Sequence, residues 1–188
     1  MGDPKRQRKK FDTPRFPWQM DMLNAELKLL GQYGLRNKRE IWRHKTLLSK
    51  YRGIGRSLLG MSAEERSKQE KQLMDRLHRI GILPEEAELD DVLDMSLEDI
   101  LERRLQTLVF QRGFAQSIQQ ARQLIAHGHI SIDGRKVSSP SYLVLKDEEE
   151  KMAFSPKSPL TDPEHPVTKA ASIPATPITE NREEERRE

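Results

Sequence analysis

The sequence has no cysteine, few aromatic residues (5%) and no apolar run close to the roughly 18 residues that a membrane-spanning helix needs. Without cysteine there is no disulfide framework and no thiolate metal site, and a cytoplasmic home is the expectation. Residues 1–18 carry too many cations for a secretory signal. Charged residues make up 34% of the chain against 35% apolar, a balance that points to an extended or partner-dependent protein rather than a compact enzyme.

Charge is plentiful instead, and it is unevenly placed. The formal net charge of +3 over 188 residues averages a first third of about +10 (residues 1–60) with a last segment of about −5 (residues 147–188). Such asymmetry points to nucleic-acid contact. Residues 1–18 string Lys5, Arg6, Arg8, Lys9, Lys10 and Arg15 among Pro4, Pro14 and Pro17. The prolines exclude a regular helix, which leaves an extended arm that orders along a polyanion, where each cation releases condensed counterions. The plain alternative is a solvated terminus.

Helical periodicity follows. Leu23, Leu27 and Leu30 predict a short helix over residues 21–35, closed by Gly31 or Gly34. Asn37 with Glu40 has capping-box spacing and opens a helix that should reach about Tyr51. Arg36 precedes it, and Lys38, Arg39, Arg43, Lys45, Lys50 and Arg52 lie along or just beyond it, with His44 among them. These cations outnumber the nearby acids, so they are candidates for phosphate, with a solvated face as the alternative. Trp42 is expected first as a core anchor and second as a stacking platform. A further helix starts at Ser62 and stops at Gly81. Residues 85–94 form an acidic connector with a short turn that Leu89, Val92 and Leu93 can pin down. Ser96 and Asp99 then cap a helix whose Leu101, Leu105, Leu108 and Val109 share one face as far as Gly113.

The stretch SIQQARQLIAHGHISIDGRKV, residues 117–137, is the most informative. Ser117 and Gln120 start a helix by the same capping logic, Ile118, Ala121, Leu124 and Ile125 make its buried face, and Gly128 supplies a left-handed stop. Ile130 and Ile132 alternate with Ser131, and Asp133-Gly134 is a strong hairpin signal that returns the chain through Arg135, Lys136 and Val137. Tyr142, Leu143, Val144 and Leu145 predict another apolar strand. The expected fold class is therefore α+β. It divides into an extended arm (1–18), a helical region (19–100), a two-helix and β-hairpin module (101–154) and a flexible tail rich in Pro, Ser and Thr (155–188).

RRLQTLVFQRGFAQSIQQARQLIAHGHISIDGRKV, residues 103–137, closely resembles the small RNA-binding module named after ribosomal protein four of the small subunit. That module also occurs in pseudouridine synthases, a tyrosyl-tRNA synthetase and heat-shock RNA-binding proteins. The N-terminal stretches GDPKRQRKKFDTPRFPW and ELKLLGQYGLRNKREIWRHK decide among them, because they resemble the archaeal and eukaryotic branch of that ribosomal protein family itself. The likeness covers residues 2 to about 154. It implies a primary binder of small-subunit rRNA of the 16S type that nucleates assembly of the 5′ domain at a multi-helix junction. It also implies neighbours among the small-subunit proteins, including the protein-five family, a position beside the channel through which mRNA enters, an influence on decoding fidelity, and a cytoplasmic, ribosome-bound location. No cofactor, membrane or small-molecule substrate belongs to that picture.

Carried over on matching positions, the RNA-facing residues of the module are Arg104, Arg112, Gln116, Ser117, Arg122, His127, His129, Arg135 and Lys136. Helix capping is the stronger role for Ser117. Ile118 stands where the bacterial branch often has a further basic residue, so no phosphate contact is carried to it. His127-Gly128-His129 lacks a nearby third ligand and is not taken as a zinc site. An RNA-modifying enzyme would need a catalytic domain, and the acids at 90–99 come with neither pocket nor basic partner. A free-standing RNA-binding regulator or ribosome-recycling factor would share the module but would not need the basic arm.

Overall fold

The computed structural model describes residues 9–162 and His165; Lys5, Arg6, Arg8 and most of the expected tail lie outside the described residues. Helix α1 (Met20–Gln32) packs on α2 (Lys38–Leu59). Asn37 caps α2 by accepting the Glu40 N–H at 3.2 Å. The Glu40 side chain does not fold back to complete a box; it reaches into another part of the chain. Helix α2 also runs past Tyr51 to Leu59, through Gly53 and Gly55. Gly55 is tolerated because α4 (Leu89–Asp94) crosses there: a Cβ at 55 would stand 3.3 Å from Leu93 Cδ2, so close approach outweighs helix propensity.

Around that crossing Leu48, Tyr51 and Leu58 of α2 meet Leu77 of α3 (Ala63–Ile80), Val92 of α4 and Ile100 of α5 (Leu97–Glu102) in one buried cluster. The acidic connector is thus a helix with its apolar residues inward, not only a solvated turn. A smaller cluster of Tyr33, Leu35, Ile41 and Leu101 joins α1, α2 and α5.

The helix expected to run unbroken from Ser96 to Gly113 is two helices, α5 and α6 (Leu105–Gln111). Between them Arg104 is extended (φ −75°, ψ 143°) and forms an antiparallel bridge with Leu143. The Leu105 N–H donates to Tyr142 O at 2.8 Å, and the Val144 N–H to Arg103 O at 3.1 Å. Thr107 Oγ1 donates to Leu101 O across the break at 2.9 Å. Residues 142–145 therefore form this bridge and not a strand of the sheet. The break also sends two consecutive arginines to different anions, Arg103 to Glu149 and Arg104 to Glu40.

Beyond α6 come α7 (Ile118–His127), β1 (Ile130–Ile132), β2 (Arg135–Lys136), α8 (Lys146–Glu149) and β3 (Met152–Phe154). The sheet is antiparallel in the order β2-β1-β3, and Asp133 and Gly134, both with positive φ, make the turn between β1 and β2. One face of it packs on α6 and α7 through Leu105, Val109, Ile125 and Ile130. The tail does not begin at Ser155. The Ser155 N–H donates to His129 O at 2.7 Å, and a 3-10 turn (Pro159–Thr161) sets Leu160 into the same core. Leu160→Ala is expected to lower stability by about 2 kcal/mol, the low end for a buried leucine because the site lies at the core's edge. The check is a lower urea midpoint at unchanged slope.

Candidate RNA-binding surface

Helix α2 sorts its cations by face. Arg39, Arg43 and Lys50 recur at i, i+4 and i+11, which places them on one stripe, and all three are exposed. Thr46 lies on that stripe between Arg43 and Lys50, and the arm crosses it there: the Asp12 N–H donates to Thr46 Oγ1 at 2.9 Å. The Phe11 ring sits 6.0 Å from the Trp42 ring, with the Lys9 ammonium 4.9 Å from the Phe11 centroid. The arm thereby adds the exposed Lys9 and Lys10 to the same side of the helix. Arg15, further along, is also exposed.

The neighbouring face is partly neutralised. Lys38 and Lys45 lie 3.5 and 3.1 Å from the carboxylate of Glu26, a buried residue of α1 that also accepts a 3.0 Å hydrogen bond from Trp42 Nε1. Burial alone would raise the Glu26 pKa. The hydrogen bonds from Trp42 and Lys45 and the charges of Lys45 and Lys38 outweigh it and hold the carboxyl below its usual value. Trp42 is accordingly a partly buried structural residue with its N–H in use.

A second acid organises the module. Glu40 takes Arg104 Nη2 at 2.9 Å on Oε2 and Arg122 Nη2 at 2.7 Å on Oε1. Arg122 Nη1 also donates to Gln106 Oε1 at 3.2 Å. The buried Gln106 uses its own amide N–H groups on Gly34 O (2.9 Å) and Ile118 O (3.0 Å). Burial again acts to raise the Glu40 pKa, and the two arginines reverse it. His44, also buried, lies beneath this pair with Nδ1 donating to Glu40 O at 2.7 Å.

These contacts correct one of the expected RNA contacts, Arg104, and restrict another, Arg122. Arg104 is 1% exposed and faces inward, so its charge serves Glu40 and no phosphate can reach it. Arg122 is not on a free helix face: its side chain is 22% exposed and is held by Glu40 and Gln106. Arg112 is exposed at the end of α6 but shares Glu149 with Arg103, at 3.1 and 2.8 Å.

The remaining predicted residues frame the two ends of α7. At its start, Gly34 packs on Ile118 and Gln119, and Gln116 and Ser117 are exposed; Arg36, two residues after Gly34, is exposed as well. Ser117 Oγ accepts the Gln120 N–H at 3.2 Å and Gln120 Oε1 accepts the Gln116 N–H at 2.8 Å, so capping is the observed role of Ser117. At the other end, about 15 Å away by helix rise, Gly128 has φ +75° and Lys136 lies where a Cβ on that glycine would stand. Arg135 and Lys136 are exposed there with His127, while His129 is half-buried with Nδ1 2.8 Å from Ser158 Oγ.

Comparison with known proteins places the chain in a family. A family model described as S4 domain matches residues 103–149. A small ribosomal subunit protein uS4 from Ignicoccus hospitalis is 53% identical over 159 residues, covering 85% of this chain and 96% of its own. The uS4 of Hyperthermus butylicus is 55% identical over 159 residues (85% and 90% of the two chains), and that of Methanothermobacter thermautotrophicus 49% over 160 (85% and 94%). The chain belongs to the uS4 family of small ribosomal subunit proteins.

Within this uS4 chain the sequence reading missed four residues, Glu26, Glu40, Gln106 and Glu149. They touch no surface stripe; they decide which cations remain outside. The available signal was slight: Glu40 already had an adequate role at a helix start, Glu149 sits in an acidic run and Gln106 is uncharged.

Proposed function

We propose that this chain is a structural, non-enzymatic component of the small ribosomal subunit that binds its rRNA directly and holds neighbouring ribosomal proteins. The observation that carries the reading is the division of labour among its cations. Buried and half-buried carboxylates engage one set, while Arg39, Arg43 and Lys50 stay outward on a helix tied to the module that carries Arg135 and Lys136, with Arg36 just before that helix and Lys9 and Lys10 on the arm. Junction RNA is read mainly by shape through phosphates and 2′-hydroxyls, and two cationic elements fixed relative to each other suit that task.

The finer reading is a primary binder that nucleates the 5′ domain at a multi-helix junction, beside the protein-five family and the channel by which mRNA enters. From there it contributes to decoding accuracy in the cytoplasm. Lys5, Arg6 and Arg8 extend the arm's contacts in this reading, and the helical region and the module act as one platform. Nuclease or chemical protection of full-length small-subunit rRNA by the protein alone tests it. A discrete footprint at a 5′-domain junction is expected; diffuse, salt-labile protection would favour a general RNA-binding regulator. With Arg39, Arg43, Arg135 and Lys136 all changed to Ala, the slope of log affinity against log salt should become shallower by about 3, close to one counterion for each phosphate no longer neutralised. An unchanged slope in the folded variant would remove these residues from the interface.

A further inference from the structure

The arm ends in a feature that phosphate binding does not use. Trp18 is 85% exposed and Phe16 66% exposed, although an indole and a phenyl ring are the side chains a small core would most readily bury. They sit at a turn. The Gln19 N–H donates to Phe16 O at 3.4 Å, closing a turn with Pro17 and Trp18 at its centre, and α1 starts immediately after it at Met20. Pro17 presets the first central position of that turn, so Trp18 is displayed at the tip of a constrained segment, not on a loose chain end. Trp18 has no ring or hydrogen-bond partner among the described residues, in contrast to Trp42, whose N–H is held by Glu26 and whose ring faces Phe11. Phe16 has the Arg15 guanidinium 5.5 Å from its centroid.

The surroundings select the occupant. Lys9, Lys10 and Arg15 precede the two rings with Asp12 as the single acid among residues 9–20, and the cationic stripe of α2 lies where the arm crosses it. An apolar protein surface would gain nothing from that charge, whereas a polyanion with exposed aromatic faces would use both. We propose that Trp18, with Phe16, is a stacking platform for unpaired bases of the RNA whose phosphates the arm and α2 hold. This deepens the rRNA-binding reading and rests on it. The rings supply contact with splayed-out bases, which a duplex cannot offer, and so direct the arm to a junction or bulge instead of a continuous helix.

The test uses the full chain with Trp18→Ala and Trp18→Phe, both at an exposed position, checked for unchanged melting temperature. The probes are small-subunit rRNA, a short single-stranded oligoadenylate and a duplex of the same length. Trp18→Ala should weaken binding to rRNA and oligoadenylate about ten-fold at fixed salt, the range for one base stack removed. The salt slope should not change, because no phosphate contact is removed, and duplex binding should hold. Trp18→Phe should keep most of the affinity but lose most of the tryptophan quenching that oligoadenylate produces in the unaltered protein. Unchanged affinity of Trp18→Ala for both single-stranded probes, with its salt slope intact, would overturn the platform and leave the rRNA reading standing. Normal RNA affinity combined with failure to join subunits in the presence of other ribosomal proteins would overturn it in favour of a protein-docking role. Absence of salt-dependent rRNA binding by the unaltered protein would remove both readings.

Discussion

Glu40→Gln is expected to destabilise the protein by about 3–5 kcal/mol, the range for removing one partner of a buried ion pair. Arg104 is 1% exposed, and its Nε and Nη1 have no hydrogen-bond partner among the described residues, so Glu40 carries the anionic compensation for a guanidinium that cannot reach water. A glutamine can still accept a hydrogen bond but leaves the charge uncancelled. Arg122 would suffer less, since it is partly exposed and keeps Gln106. Urea unfolding at neutral pH measures the loss. The double change Glu40→Leu with Arg104→Leu should cost clearly less than Glu40→Gln alone, because the stranded charge goes with its partner. A loss below about 1 kcal/mol in Glu40→Gln would show that the buried arginine finds its compensation elsewhere.

The same carboxylate is what makes two cationic elements into one surface. Glu40 belongs to α2, Arg104 and Arg122 to the module, and Gln106 adds Gly34 and Ile118 to the junction. Independent tethering of the stripe and the hairpin would give two weak phosphate sites with a variable distance between them. Locked together, they present a fixed spacing, which is the property a shape-reading RNA protein needs. The pair's net contribution to stability is small compared with the cost of losing one partner alone, so its clearest role is to specify one relative placement.

How much of this was legible depended on the range of the interactions. Asn37, Ser96 and Ser117 each accept the hydrogen bond their sequence spacing implies, Gly81 and Gly128 take the left-handed conformation, and Asp133-Gly134 turns the hairpin. All of these are settled within a few residues. The break at Arg104 was not legible, because Leu101, Leu105, Leu108 and Val109 keep a helical period straight through it; the backbone leaves the helix for a pairing with Leu143 almost forty residues away. The end expected near Tyr51 erred in the opposite direction, since packing of Gly55 against α4 carries α2 on to Leu59. The site divided in the same manner. Exposed cations of α2 and the hairpin could be read from charge and period, whereas the burial of Arg104 and the tethering of Arg122 follow only from where Glu40 points.

Acid should loosen the molecule well above the carboxylate range. His44 is held down to about 4 from an ordinary 6.5, first by burial and then by the Arg104 charge, against the opposing hydrogen bond to Glu40 O. Its folded form therefore resists a proton that the unfolded chain accepts near 6.5. Stability from this group is fully present above that pH and is lost as the pH falls towards 4, at a slope approaching 1.4 kcal/mol per pH unit and about 3 kcal/mol in all. Glu26, Glu40 and Glu149 are lowered from 4.5, so their contributions disappear only below that value. Two windows should appear in urea unfolding followed against pH, one between 6.5 and 4 from the histidine and one below 4.5 from the acids. His44→Asn keeps a donor for Glu40 O and should flatten the upper window while leaving the lower one. Persistence of the full slope between pH 6.5 and 5 in that variant would assign it to another group. The coupling also ties acid sensitivity to the junction itself: a proton on His44 puts positive charge beside Arg104 at the point where α2 and the module meet, so the fixed spacing of the RNA surface should fail before the acids titrate.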